Sequence, residues 1–326
     1  MHRRHLLAWL ASTGGAALVP GLAHAQRTIG FGEQRAAPPP SPRTPGAPLT
    51  TGSTADTAAD PHHGRFRKPA HDIPLKNSQI VRGTRDISAA WLSGPVQRYR
   101  HYVLGADVEA ETLTISMTDR RIFRLTLPKD AVFEDRIPRL VDLDGDGRDE
   151  VVIVKSNVST GSVVAVAAVK NAADGLKIIA VSEAPGSAFR WVNPAGIADF
   201  TGRGRPQIAV VRQPHTLGEL DLLVMRGGEL NPLLTVTDVS NHATGTFHQT
   251  LHAVADFTGE GLAQLAIPTF DRRALRFLSF KGGRATEFHR VNLAARAQED
   301  FRLVTVAGRP AVDVGLASGR RQVVGL

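Results

Sequence analysis

From residue 76 onward the apolar positions of the chain come in short runs separated by glycine-rich and polar breaks. Val151-Val152-Ile153-Val154 and Ile208-Ala209-Val210-Val211 are β-branched runs bounded by such breaks, as short buried strands are. Further strand-like runs follow from Ser162 to Val169, Glu219 to Met225 and Ala274 to Phe280, and others from Leu176 to Val181, Leu230 to Val236 and Ala285 to Val291. Apolar spacing at i, i+3, i+4, the mark of an amphipathic helix, is hard to find after residue 76. The pattern predicts an all-β domain.

The pattern also repeats. RLVDLDGDGRDEVVIV, GIADFTGRGRPQIAVV and AVADFTGEGLAQLAIP align without gaps on Asp142, Asp199 and Asp256, evenly spaced by 57 residues. Four short strands per repeat predict a β-propeller blade. A second internal match joins DRRIFRLTLPK, from Asp119, to DRRALRFLSFK, from Asp271, and marks a shorter unit over 101–138. The tail from Phe301 to Leu326 holds enough apolar runs for three strands. The expected architecture is a propeller-like ring of about five four-stranded blades. A strand between Ile80 and Tyr99 would complete the last blade and close the ring, because an unpaired strand edge needs cover. An open stack of sheets and a two-domain β-sandwich are the competing arrangements.

Two segments precede this domain, giving boundaries at 1–25, 26–75 and 76–326. Arg3 and Arg4, the apolar stretch after them and the small-x-small site Ala23-His24-Ala25 read as a signal peptide. Gly14, Gly15 and Pro20 break the apolar stretch, so no transmembrane segment is expected once it is cleaved. APPPSPRTPGAP and the small polar residues after it bury too little to offset their ordering entropy, and predict a disordered linker. The expected destination is the periplasm or the cell exterior. The chain has no cysteine, which excludes disulfides, thiolate metal sites and a lipid-anchored cysteine. Its formal charge of +8 is scattered rather than gathered with aromatics into a patch, so nucleic-acid binding is not expected.

DLDGDGRDE, residues 142–150, carries the strongest chemistry. Asp142, Asp144 and Asp146 alternate, Gly145 and Gly147 permit a tight wrap, and the Arg148 carbonyl and Glu150 carboxylate complete an oxygen-rich shell. Such a set suits one Ca2+, which accepts six to eight oxygen ligands in loose geometry. It is not an EF-hand, since the twelfth position is Ile153 where that loop needs Glu. An ion-free Asp/Gly turn is the competing reading. At Asp199 the corresponding positions are Arg203 and Gln207, and the arginine is expected to pair with Asp199 in place of an ion. Asp256, Thr258, Glu260 and Gln264 form a weaker second candidate.

The D-x-D-G-D-G-x-x-(D/E) loop followed by a β-run resembles the FG-GAP/VCBS repeats of integrin-type propellers, over roughly residues 101–326. The resemblance implies calcium in the turn between a blade's first two strands, and mostly interaction domains rather than enzymes.

No G-x-S-x-G, H-E-x-x-H, Walker or dinucleotide motif is present, so no catalytic residues are expected. His215 and the pair Asn241-His242, with Arg190, Trp191 and Asn193 in the corresponding stretch of the preceding repeat, are candidates to line a polar pocket where loops gather at one end of the ring. Three functions remain open: a binding or scaffold module for a protein or polysaccharide partner, a carbohydrate-active or sugar-binding protein using that pocket, and a structural spacer. Nothing in the chain sets an oligomeric state.

Overall fold

The computed structural model describes residues 73–326, so the expected signal peptide and nearly all of the linker lie outside the described residues. Twenty strands and one 3-10 turn, Lys281–Gly283, are found among the described residues, as the all-β reading requires. Each aligned repeat forms an antiparallel meander. The first comprises β6 (Arg139–Val141), β7 (Glu150–Asn157), β8 (Gly161–Ala168) and β9 (Lys177–Ser182). The second comprises β10 (Val192–Ala198), β11 (Gln207–Arg212), β12 (Glu219–Arg226) and β13 (Glu229–Val236). The third comprises β14 (Ala253–Ala255), β15 (Gln264–Pro268), β16 (Ala274–Ser279) and β17 (Thr286–Asn292).

The apolar runs of β7, β8, β11 and β15 are continuous because both faces of these strands are buried. Val151 and Ile153 of β7 enter one core cluster with Leu92, Leu113 and Ile115, while Val152 and Val154 enter another with Trp191, Ile208 and Val210. On β11 the alternation continues, Ala209 and Val211 packing with Leu265, Ile267 and Phe280. Ala266 of β15 then joins Phe277, Val312 and Val314. Successive sheets therefore stack face to face, each of the three repeats sharing one core with the sheet before it and one with the sheet after. Strand β10 lies against β14, and β14 against β18 (Ala297–Val306). This succession fits a β-propeller.

The start and end of the domain differ from expectation. The strand expected to close the ring is β2 (Ile87–Val96), and it pairs with β3 (Glu109–Met117) from Ile87↔Met117 to Val96↔Glu109. Ala90 and Leu92 fix that choice by burying themselves beside Leu113 and Ile115. The first group is thus β1 (Val81–Arg82), β2, β3 and β4 (Ile122–Thr126), and β5 (Ala131–Phe133) leads from it into the first repeat. The last sheet, β18, β19 (Arg309–Leu316) and β20 (Arg321–Gly325), stays three-stranded. Order also begins slightly before residue 76: Leu75 is buried and its N–H donates to the Leu92 carbonyl. The two D-R-R segments make the same turn before β4 and β16. Arg120 and Arg272 both take positive φ, and Asp119 and Asp271 each accept the N–H two residues on.

The loop between β2 and β3 folds inward. Val103 and Leu104 are buried in the cluster that holds Trp191, and the Gly245 N–H donates to the Val103 carbonyl at 2.9 Å. That loop, those entering β6, β10 and β14, and the β11–β12 loop meet, and they bring together the histidines described below.

Candidate metal centre and histidine cluster

The three aspartate loops are built alike. Asp142 accepts the N–H groups of Gly145 (2.7 Å) and Gly147 (3.0 Å), Asp199 those of Arg203 and Gly204, and Asp256 those of Gly259, Glu260 and Gly261. Positive φ at Gly145 and Gly147 turns those N–H groups inward. The last position of each loop reaches back as well. Glu150 accepts from the Leu143 N–H, Gln207 from Thr201, and Gln264 from Phe257. Each loop is thereby a self-supporting turn.

The loops diverge in the charge left over. In the first, Asp144 Oδ2, Asp146 Oδ2 and Glu150 Oε1 converge on one point, where Lys170 Nζ lies at 2.6, 3.0 and 2.8 Å. The ligand oxygens of Asp142, Asp144 and Asp146 lie within 4.8 Å of one another. Glu150 is buried, Asp144 partly buried and Asp146 exposed, so the ammonium neutralises a set of carboxylates that water screens incompletely at its inner end. Burial alone would lower the lysine's pKa, but its bonds to these carboxylates hold it above the ordinary range. The Arg148 guanidinium turns away to Asp86 and to the carbonyls of Val169 and Lys170, leaving only its own main chain at the loop. Asp86 also accepts the Asp149 N–H at 2.7 Å, and Arg85 pairs with Asp149, so the β1–β2 turn buttresses the loop from outside.

In the second loop, contrary to expectation, the Arg203 guanidinium does not pair with Asp199 but reaches the Gly282 carbonyl at 2.9 Å. The two oxygens of Asp199 already accept backbone N–H groups, which leaves the guanidinium free to reach the next sheet. In the third loop Glu260 extends to Lys281, and the Gln264 amide donates to the Thr258 hydroxyl at 2.6 Å. An N–H donor therefore stands where the first loop has Glu150 Oε1, and of the candidates Asp256, Thr258, Glu260 and Gln264 only Thr258 and Gln264 are joined side chain to side chain by a hydrogen bond.

Of the candidate pocket residues, five are brought together. His242 Nε2 lies 3.0 Å from the Thr246 carbonyl and its Nδ1 lies 2.9 Å from His215 Nε2. Trp191 stacks on His215 and meets His242 edge-on, at centroid distances of 6.1 and 4.8 Å. Asn193 donates to the Asn241 and Gln249 carbonyls, and Asn241 returns a bond to the Asn193 carbonyl. Trp191, Asn193, Asn241 and His242 are all buried, so they fill the interior rather than line an open cleft. Arg190 stands apart, exposed, within reach of the Ser187 hydroxyl.

Sequence reading missed the residues around them. Glu134, fully buried, accepts from Ser156 (2.6 Å), and its Oε1 lies 2.7 Å from His101 Nδ1. Its carbonyl accepts the Trp191 indole N–H at 3.0 Å. Asp135, also buried, accepts Arg139 (2.7 Å), Gln249 (3.1 Å) and the N–H groups of Arg136, Ile137 and Val154. The only sequence signal is a pair of acids ahead of a strand, and their partners lie far along the chain.

Burial, with smaller effects from Arg272 and His101, pushes His215 down to about 4. Burial and His215 push His242 down to about 3. Unfolded, both would titrate near 6.5. As pH falls below that value the unfolded chain gains protons that the folded chain refuses, so stability falls by up to ~1.4 kcal/mol per pH unit for each histidine. Glu109 works in the opposite sense. Burial and then Glu134 raise it to about 7, so the folded chain keeps a proton that the unfolded one releases. Burial also pushes His252 down to about 3 and raises Glu150, and with three histidines against two carboxyls the urea midpoint is expected to fall from about pH 6.5 to about pH 4.5. A midpoint that rises over that range contradicts the burial described.

No known protein family matches the chain, and no curated protein does. Among solved structures, BBS1N in complex with ARL6DN matches with 14% identity and a TM-score of 0.41, over 67% of this chain and 60% of that one. The exotype rhamnogalacturonan lyase YesX matches with 13% identity and a TM-score of 0.36, over 76% of this chain and 59% of that one. The WD40 domain of Toxoplasma gondii coronin matches with 10% identity and a TM-score of 0.32, over 78% and 83%. The chain spans about 60% of the length of the first two structures, and likeness at this level carries no functional argument. Among the described residues no helix is long and apolar enough to cross a membrane.

Proposed function

We propose that the chain is an exported, calcium-binding β-propeller of the FG-GAP/VCBS kind, with about five blades, acting as a binding or scaffold module. One observation carries the calcium reading: carboxylates of Asp144, Asp146 and Glu150 aim at a single point that already holds a cation, the Lys170 ammonium. Asp142 and the Arg148 carbonyl would complete the set. An all-oxygen, carboxylate-rich donor set fits a hard cation such as Ca2+. The ion would lock the turn between β6 and β7 and so stiffen the loops around it. The export reading is supported by Arg3, Arg4 and the Ala23-His24-Ala25 site, and the binding-module reading by the lack of any catalytic motif.

A ligand that binds only the folded state at 100 times its Kd stabilises by about 2.7 kcal/mol. For a domain of this size that corresponds to a melting-temperature rise of roughly 5–10 °C. Calcium is expected to produce that rise over a chelator control, and magnesium a smaller one. Equal melting in calcium and chelator sinks the reading.

A further inference from the structure

Glu134 joins two groups of rings that the calcium loop does not touch. Its carboxylate orients His101, and its carbonyl holds Trp191, which packs on His215 and His242. The carboxylate is itself fixed by Ser156 and Ser162, both fully buried, at 2.6 and 3.2 Å. Burying a carboxylate costs several kcal/mol unless its partners are well placed, and here they serve one imidazole at the domain surface. In the tautomer that donates Nδ1–H to Glu134 and carries no second proton, Nε2 is bare, and the ring keeps part of its surface in solvent. A second bare nitrogen follows from the hydrogen-bond chain. The Thr246 carbonyl only accepts, so His242 Nε2 carries the proton and its Nδ1 accepts from His215 Nε2–H. That leaves His215 Nδ1 without a proton.

An exposed ring lies beside His101. Phe189 is 52% exposed and packs against His101 and Tyr99, with both centroid distances 5.2 Å. It is held at a φ of 59° by its N–H bond to the Tyr99 hydroxyl. Arg100, Tyr102 and Gln213, in the same loops, are also non-glycine residues at positive φ. Such backbone strain gathers where a ligand is held.

We propose that Phe189, His101 and His215 form a site for a neutral carbohydrate ring. The sugar's C–H face would lie on Phe189 and its hydroxyls would donate to His101 Nε2 and His215 Nδ1. Two acceptors and an apolar face suit a donor-rich, uncharged ring. This names the ligand class of the binding module proposed above and rests on that reading, though not on calcium.

The test screens the purified full chain against an array of neutral and acidic mono- and oligosaccharides. Any hit is titrated by saturation-transfer NMR with and without calcium, beside Phe189→Ala, His101→Ala and the better-filling His101→Gln. The expected result is a neutral glycan whose binding weakens about tenfold or more in each variant while melting is unchanged. Should His101→Ala unfold, Phe189→Ala and His101→Gln still decide. No neutral glycan bound at ~10 mM, ~4–5 orders weaker than a sub-micromolar complex, overturns the proposal. So does binding indifferent to these substitutions, or binding confined to acidic glycans. Capture of a protein partner with no glycan binding would retain the module and discard this site.

Discussion

Asp135→Ala is expected to be the most damaging single polar substitution, costing about 3–5 kcal/mol. The carboxylate is fully buried and serves five donors from three parts of the chain. Arg136 N and Ile137 N belong to its own turn, Val154 N to the neighbouring strand β7, and Gln249 Nε2 to the loop entering β14. Removing the acceptor strands the mostly buried Arg139 guanidinium, which has one nitrogen without a partner already. Each backbone N–H left unsatisfied adds about 1–3 kcal/mol to what relaxation must recover. The denaturant midpoint should fall steeply at unchanged slope, whereas the exposed Asp174→Ala should stay within about 0.5 kcal/mol of the parent. A midpoint for Asp135→Ala within that margin would mean the buried network does not hold the repeats together.

Lys170→Met is expected to act in opposite directions with and without calcium. In chelator it removes the cation that neutralises Asp144, Asp146 and Glu150, leaving like charges crowded in one turn, and the protein should melt lower. In calcium it removes a competitor. The ion no longer has to displace an ammonium that makes three charge-assisted bonds, each of the strong class, so affinity should rise about tenfold or more. Isothermal titration of parent and variant reads the difference. If the variant binds calcium no more tightly than the parent, the lysine is a bystander to the metal, even where the loop still binds it.

These residues show what could be read from the chain and what could not. The inner strands were legible because their apolar runs are buried on both faces, and the 57-residue spacing survives wherever Asp, Gly and a following β-run are required by the same turn. The cradle at Asp142, Asp199 and Asp256 is local, made of N–H groups within five residues, so its motif reports it faithfully. Lys170 lies outside the motif, past the end of β8, and only the folded meander returns it to the loop. Glu134 and His101 are 33 residues apart and joined through the inward fold of the β2–β3 loop, which no local pattern announces. The ring-closing strand was misplaced for a related reason. The rule that edges seek partners says nothing about which edge wins, and the burial of Ala90 and Leu92 against Leu113 and Ile115 decided it.

The most direct measurement is a calorimetric titration of calcium into the purified protein, with Asp144→Asn alongside. The expected result is one calcium per chain for the parent and none for the variant, since Asp144 supplies an oxygen at the point of convergence and its amide would place a donor there. No binding by the parent, or equal binding by the variant, would show that the loop at Asp142–Glu150 is a turn closed by Lys170 and not a calcium site.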